Sequence, residues 1–188
     1  GLPGVFNDSL SDGWGRLLFD RFARSQGIVP GDITPLDRLA QVGHYGMGAL
    51  VYQPDYSDHQ APIDVDLDTL ATQAQEVLAG TSDEVLAELI ALNGSSAGAR
   101  PKVLGGVNPS RDHLICGVHE LNDDYSYWLL KFPNTQDGLD AGVIEYVYSL
   151  MAKEAGIPMP ETHLLPAKQG PGYFAIQRFD RAGNQRYH

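Results

Sequence analysis

Basic residues are scarce: 13 Lys and Arg stand against 24 Asp and Glu, a formal net charge of −11. No basic run occurs, so direct binding to a nucleic-acid backbone is unsupported, and any link to DNA would pass through a partner. Cysteine occurs once; Cys116 cannot form an internal disulfide and reads as a small buried apolar residue in a reducing, cytosolic compartment. No 18-residue apolar stretch and no charged-then-apolar leader is present, so neither a membrane span nor a signal peptide is indicated. An initiator methionine is also missing, and Gly1-Leu2-Pro3-Gly4 reads like the interior of a longer protein. What is there is ordinary for a folded chain. With 43% hydrophobic and 20% charged residues over 188 positions, a real core is expected, in one domain or two small ones.

In the first half, Trp14, Leu17, Leu18 and Phe22 fall at helical spacing between a cap at Ser11 or Asp12 and a stop at Gly27. Thr34-Pro35 predicts an N-cap and first position of a short helix ending near Gly43. Met47 to Gln53 is expected to be a strand, and Pro54 to Pro62 a polar loop. Two amphipathic helices follow: one on Leu67, Leu70, Ala71, Ala74, Val77 and Leu78, and one opened by a Thr81/Glu84 capping box and carrying Val85 to Leu92.

The second half reads as strands. Lys102–Val107, Leu114–Val118, Tyr125–Phe132, Thr162–Leu165 and Tyr173–Phe179 are expected as a five-strand antiparallel sheet. A helix over Leu139–Ala155, with Val143, Val147, Leu150 and Met151 on an apolar stripe, is expected to pack on one face. The fold class is thus α+β, with a mostly helical subdomain over 1–93 and a sheet subdomain over 94–188.

At the junction lies Ser95-Ser96-Ala97-Gly98-Ala99-Arg100-Pro101-Lys102, small residues that leave backbone N–H groups uncovered and end in a lysine. This suits a polyanion such as a nucleotide phosphate, although such a run also serves as an ordinary loop. Lys131 ends a hydrophobic strand, where it could equally snorkel at a sheet edge; Glu145 follows 14 positions later on a helix, where most glutamates are surface charges. Together with the strand end Gln177-Arg178-Phe179-Asp180, they come in the order in which a kinase-type N-terminal lobe presents its ATP-binding parts.

These motifs resemble the HipA family, serine/threonine kinase toxins of bacterial toxin–antitoxin modules. Leu2-Pro3-Gly4 through Asp12-Gly13-Trp14-Gly15 is similar to its LP…F…LPDGWG segment, with Ser11 where proline is usual. Leu36-Asp37-Arg38-Leu39 and Gly46-Met47-Gly48-Ala49-Leu50 resemble the rest of its N-terminal subdomain, here without the first strands. Ser95-x-Ala97-Gly98-Ala99-x-x-Lys102 resembles the family's SxAGAxxK loop, and Gln177-Arg178-Phe179-Asp180-Arg181 its ERFDR-like hinge, with glutamine for the common glutamate.

The resemblance implies regulatory autophosphorylation at Ser95 and nucleotide contacts from Ala97, Gly98, Ala99, Arg100, Pro101 and Lys102. It further implies ATP contacts from Lys131, Gln177, Arg178 and Phe179, with Glu145 orienting the lysine. ATP and Mg²⁺ are the implied cofactors, but the family's catalytic and metal-binding aspartates lie in a helical C-terminal lobe, so this chain alone is expected to be inactive. Implied partners are a HipB-like antitoxin, a protein substrate of the aminoacyl-tRNA synthetase type, and DNA only indirectly through the antitoxin, with no membrane; growth arrest or persistence in a bacterial cytoplasm would be the outcome. The rival expectation is a non-catalytic binding module, an antitoxin-like partner of a separate kinase core; a third is an inert remnant.

Overall fold

A computed structural model describes residues 1–57, 63–64, 66–81, 89–90, 92, 97–117 and 119–187, with 63–64 as backbone only. Its first half is helical. Helix α1 spans Gly4–Asn7, α2 Gly13–Ser25, α3 Pro35–Val42 and α4 Leu67–Ala79, with a short 3₁₀ turn at Pro30–Asp32. The start of α3 follows from local chemistry: Pro35 supplies the first helical φ, and Thr34 and Asp37 exchange the two hydrogen bonds of a capping box. Asp66 caps α4 by accepting from the Thr69 N–H at 2.9 Å, and Gly80 ends it in the left-handed conformation. Leu89, Ile90 and Leu92 are helical, whereas the Thr81/Glu84 capping box lies outside the described residues.

The strands are β1 Ile63–Asp64, β2 Lys102–Val107, β3 Leu114–Cys116, β4 Ser126–Lys131, β5 Thr162–Leu165 and β6 Tyr173–Gln177. They form an antiparallel sheet in the order β1-β3-β2-β4-β6-β5. The five strands expected after residue 94 are all present, and the first half adds β1 as a sixth at the edge beside β3. Met47–Gln53, expected as a strand, has no regular structure; its apolar character serves a docking segment instead, described below. Past the sheet, β7 Arg181–Ala182 and β8 Gln185–Arg186 make a small separate hairpin that periodicity did not suggest. Helix α5, Ala141–Glu154, closes the list of long elements.

Register assigns each face of the sheet. Val103, Leu130 and Ala175 are directly opposed across β2, β4 and β6, so their side chains share one face. That face is the core: it packs with Trp14 and Leu18 of α2, Leu70, Ala74 and Val77 of α4, and Leu89 and Leu92. Burial of such side chains is worth about 1.5–3 kcal/mol each before entropy is counted, which places the cohesion of the molecule between the helices and this face. Cys116 lies fully buried there, and burial pushes its thiol up to about 12, leaving it an inert packing group.

The opposite face carries Lys102, Lys131 and Phe174 in one row, with Leu104, Leu129 and Ile176 in the next. Helix α5 packs on this face over β5 and β6, but not through its expected stripe. Val147, Leu150 and Met151 are exposed, and the only α5 side chain fully enclosed among the described residues is Ser149. Its hydroxyl lies 2.9 Å from that of Thr162 on β5 and donates to the Tyr146 carbonyl. At Gly142 the helix approaches the backbone of Gly172 and Phe174 so closely that a side chain there would clash.

Candidate functional site

Lys102 and Lys131 are direct cross-strand partners, so two ammonium groups stand side by side on the α5 face. Like charges so placed oppose folding, and the arrangement is compensated by two acceptors. The Lys131 ammonium forms an ion pair with the Glu145 carboxylate of α5 and lies 5.6 Å from the centre of the Phe174 ring. The Lys102 ammonium donates to the Ala97 carbonyl, which folds the small-residue loop back over it. Lys102 is only 4% exposed. Burial first and the Lys131 charge second hold its pKa below the ordinary lysine value, against the pull of Asp12 and Glu145.

Glu145 reaches Lys131 because α5 sits tightly on the sheet at its first turn. A Cβ on Gly142 would stand 2.4 Å from the Gly172 carbonyl oxygen and 3.1 Å from the Phe174 nitrogen, both backbone atoms that cannot yield. Gly142→Ala is therefore expected to lever α5 outward, cost about 1–3 kcal/mol and loosen the Lys131–Glu145 pair. Thermal denaturation checks the first effect; an unchanged melting temperature would show that α5 is not held at this point.

Of the remaining loop residues, Ala97, Gly98, Ala99 and Arg100 are exposed. The Arg100 guanidinium is paired with Asp137 at 2.9 Å. Pro101, a nucleotide contact by resemblance, is fully buried, and its carbonyl accepts the Phe132 N–H at 2.8 Å. Ser95 lies outside the described residues. Beside Glu145, a cleft of about 490 Å³ opens between Arg100, Asp137, Asp140, Ile144 and Tyr148.

At the far end of the same face, the Gln177 N–H donates to the Glu161 carbonyl and the Arg178 N–H to the Tyr127 carbonyl, both at 2.8 Å. Their backbone donors are thus used within the sheet. Phe179 is 77% exposed. The Arg178 guanidinium turns inward and grips Asp180 at 2.9 and 2.7 Å. Arg181 adds a third contact at 2.8 Å, and the Gly48 N–H a fourth at 2.7 Å. Arg181 and Arg186 also donate to the Gly46 carbonyl, at 2.9 and 3.0 Å. The segment Gly46–Leu50 of the first half is thereby pinned to the end of the sheet. Sequence reasoning gave Arg178 a nucleotide-facing role and Asp180 none; the arginine-rich run after residue 177 was the available sign of this network.

Between the lysine row and this network, Leu129 and Ile176 are half-buried neighbours, an apolar floor. Among the described residues no group of three or more His, Cys, Asp or Glu is placed to hold a metal ion, and no helix is long and apolar enough to cross a membrane. A comparison with curated proteins finds no match. Family models do match: the HipA N-terminal domain over residues 1–53 and the HipA-like C-terminal domain over residues 94–188, just over half of the chain. With both domains matched in their order along the sequence, the chain belongs to the HipA family.

Proposed function

We propose that this chain forms the ATP-binding part of a HipA-type toxin, a protein serine/threonine kinase neutralised by a DNA-binding, HipB-like antitoxin. The observation that carries the reading is the Lys102–Lys131 row with Glu145 behind it. The two ammonium groups, with the Glu145 and Asp12 carboxylates within electrostatic reach, supply paired cationic donors, which suit a polyphosphate. The loop of small residues folds over that centre, and the Leu129/Ile176 floor suits a planar base. In this reading residues 1–93 are the HipA-type N-terminal subdomain and 94–188 the kinase N-lobe. Lys131 holds the phosphates, Glu145 orients it, and the Gln177-Arg178-Phe179 strand end borders the base.

ATP supplies the transferred phosphoryl group, and Mg²⁺, by resemblance to the family, would be held by an aspartate of a helical C-terminal lobe. Catalysis, by resemblance to the family, requires two aspartates of a helical C-terminal lobe. The protein substrate is of the aminoacyl-tRNA synthetase type, DNA is reached only through the antitoxin, and the setting is a bacterial cytoplasm. Ser95 is the regulatory site: its phosphate would add about 1.5–2 negative charges beside donors meant for the nucleotide, so the phosphorylated protein loses ATP affinity.

The test is calorimetric ATP binding by the protein from its complete reading frame, at fixed Mg²⁺ and salt, before and after phosphorylation located by mass spectrometry. Binding that is weakened at least about tenfold by phosphate at Ser95 supports both parts. Equal affinities in the two forms would remove the switch. No ATP binding, with tight association to a separate kinase core, would replace the enzyme reading by that of a binding module.

A further inference from the structure

We propose that Asp12 is a positioning residue of the small-residue loop, acting through Gly98, and that Asp12-Gly13-Trp14 clamps residues 97–100 over the lysine row. The inference rests on the nucleotide-site reading above for its consequence, though not for its geometry. Asp12 occupies the N-cap position of α2, yet its side chain makes no capping bond to its own helix. Its carboxylate instead accepts the Gly98 N–H at 2.5 Å, 86 positions away in sequence. The Trp14 N–H in turn donates to the Gly98 carbonyl at 3.0 Å. Both main-chain groups of Gly98 are therefore taken by the two residues that flank Gly13.

That two-bond ladder needs contact distances that a side chain would prevent. Gly13 has φ +42°, and a Cβ there would stand 2.6 Å from the Gly98 carbonyl oxygen, 2.7 Å from its carbon and 2.9 Å from the Ala99 Cα. The loop is held from its other side as well. Gly98 has φ +100°, a Cβ on it would stand 2.8 Å from the Lys102 Nζ, and Lys102 donates to the Ala97 carbonyl. The loop thus lies between the start of α2 and the lysine row, with a charge-assisted hydrogen bond on the α2 side. With the Gly98 N–H committed to Asp12, the Ala99 and Arg100 amides that follow it are, among the described residues, placed to meet phosphate oxygens. An alternative of opposite sign exists: a carboxylate that merely occupied a phosphate's donor would weaken nucleotide binding, and its removal would tighten it.

Amide hydrogen exchange at residues 97–100 and calorimetric ATP affinity, measured on the intact protein and its Asp12→Ala, Asp12→Asn and Gly13→Ala variants, decide the matter. The exchange is expected to accelerate about tenfold or more in Asp12→Ala and Gly13→Ala, while Asp12→Asn, whose amide oxygen still accepts, stays within about threefold of the parent. ATP affinity should fall about tenfold in Asp12→Ala and recover in Asp12→Asn. Exchange within α2 should hold in Asp12→Ala, because no cap bond of that helix is lost. Unchanged exchange in both Asp12→Ala and Gly13→Ala would overturn the clamp, and tighter ATP binding by Asp12→Ala would overturn the positioning role. Should the parent protein bind no ATP, the kinase reading falls, and the exchange rates still settle whether Asp12 holds the loop.

Discussion

On the proposed kinase reading, replacing Lys131 with alanine is expected to cut phosphotransfer roughly 10²- to 10³-fold, the usual cost of removing one preorganised charge from a reacting centre. Stability should barely move. The side chains of Lys131 and Glu145 are 31% and 28% exposed, and ion pairs this open to solvent contribute about 0–1 kcal/mol. Destabilisation therefore cannot mimic the functional loss, which makes the variant a clean probe. Lys131→Arg should rescue little, because a planar fork does not reproduce a compact ammonium at the end of a four-carbon stem. Glu145→Gln is milder: the ammonium remains but is no longer held, and a loss of about tenfold is expected. Steady-state assays with radiolabelled ATP, alongside melting curves, measure both. Full activity in Lys131→Ala would show that the lysine is only a sheet-edge residue snorkelling to water.

The second large effect concerns stability. Asp180→Ala should destabilise the fold by about 3–5 kcal/mol, since removing one partner of a buried ion pair leaves uncompensated charge behind. Here the stranded charges would be two guanidiniums, Arg178 and Arg181, whose side chains are 4% exposed, together with an orphaned Gly48 N–H. For a chain of this size the melting temperature should fall by roughly 10 °C.

The same carboxylate predicts an acid limb. Burial raises its pKa, but Arg178 by hydrogen bonds and charge, then the Gly48 amide, then Arg181, outweigh that and hold it below the ordinary aspartate value. A folded-state pKa below the unfolded one gives stability that is complete above the ordinary range near 4 and is lost as pH falls through the lowered value. Urea unfolding of the parent and Asp180→Asn between pH 7 and pH 3 should show the gap between them narrowing on acidification. A constant gap would mean that the carboxylate's charge contributes nothing and only its shape matters.

Much of the architecture is local in origin and was legible residue by residue. Thr34-Pro35 with Asp37 makes a helix start within four positions, and the β-favouring runs at Lys102–Val107 and Ser126–Lys131 become central strands. The order of small-residue loop, strand lysine and helix glutamate was likewise readable, because a strand followed by a helix that packs back on it returns position 145 to position 131. Apolar character alone misled where the partner was distant. Met47–Gln53 looks like a strand, yet its neighbourhood is fixed by Arg178, Asp180, Arg181 and Arg186, more than 130 positions away, which satisfy the backbone groups of Gly46 and Gly48 in place of a ladder. The α5 stripe faces outward for a similar reason: Gly142 and Ser149 allow the close approach to β5 and β6, and hydrophobicity carries no record of that distance. Asp12 is the clearest case, a residue typed by its neighbours as a helix cap and used by the fold to hold Gly98. Sequence periodicity determined the long helices and the central strands, and the sequence which residues carry charge; tertiary contact decided which of those charges face one another, because a carboxylate takes whichever donor the packed chain brings to it.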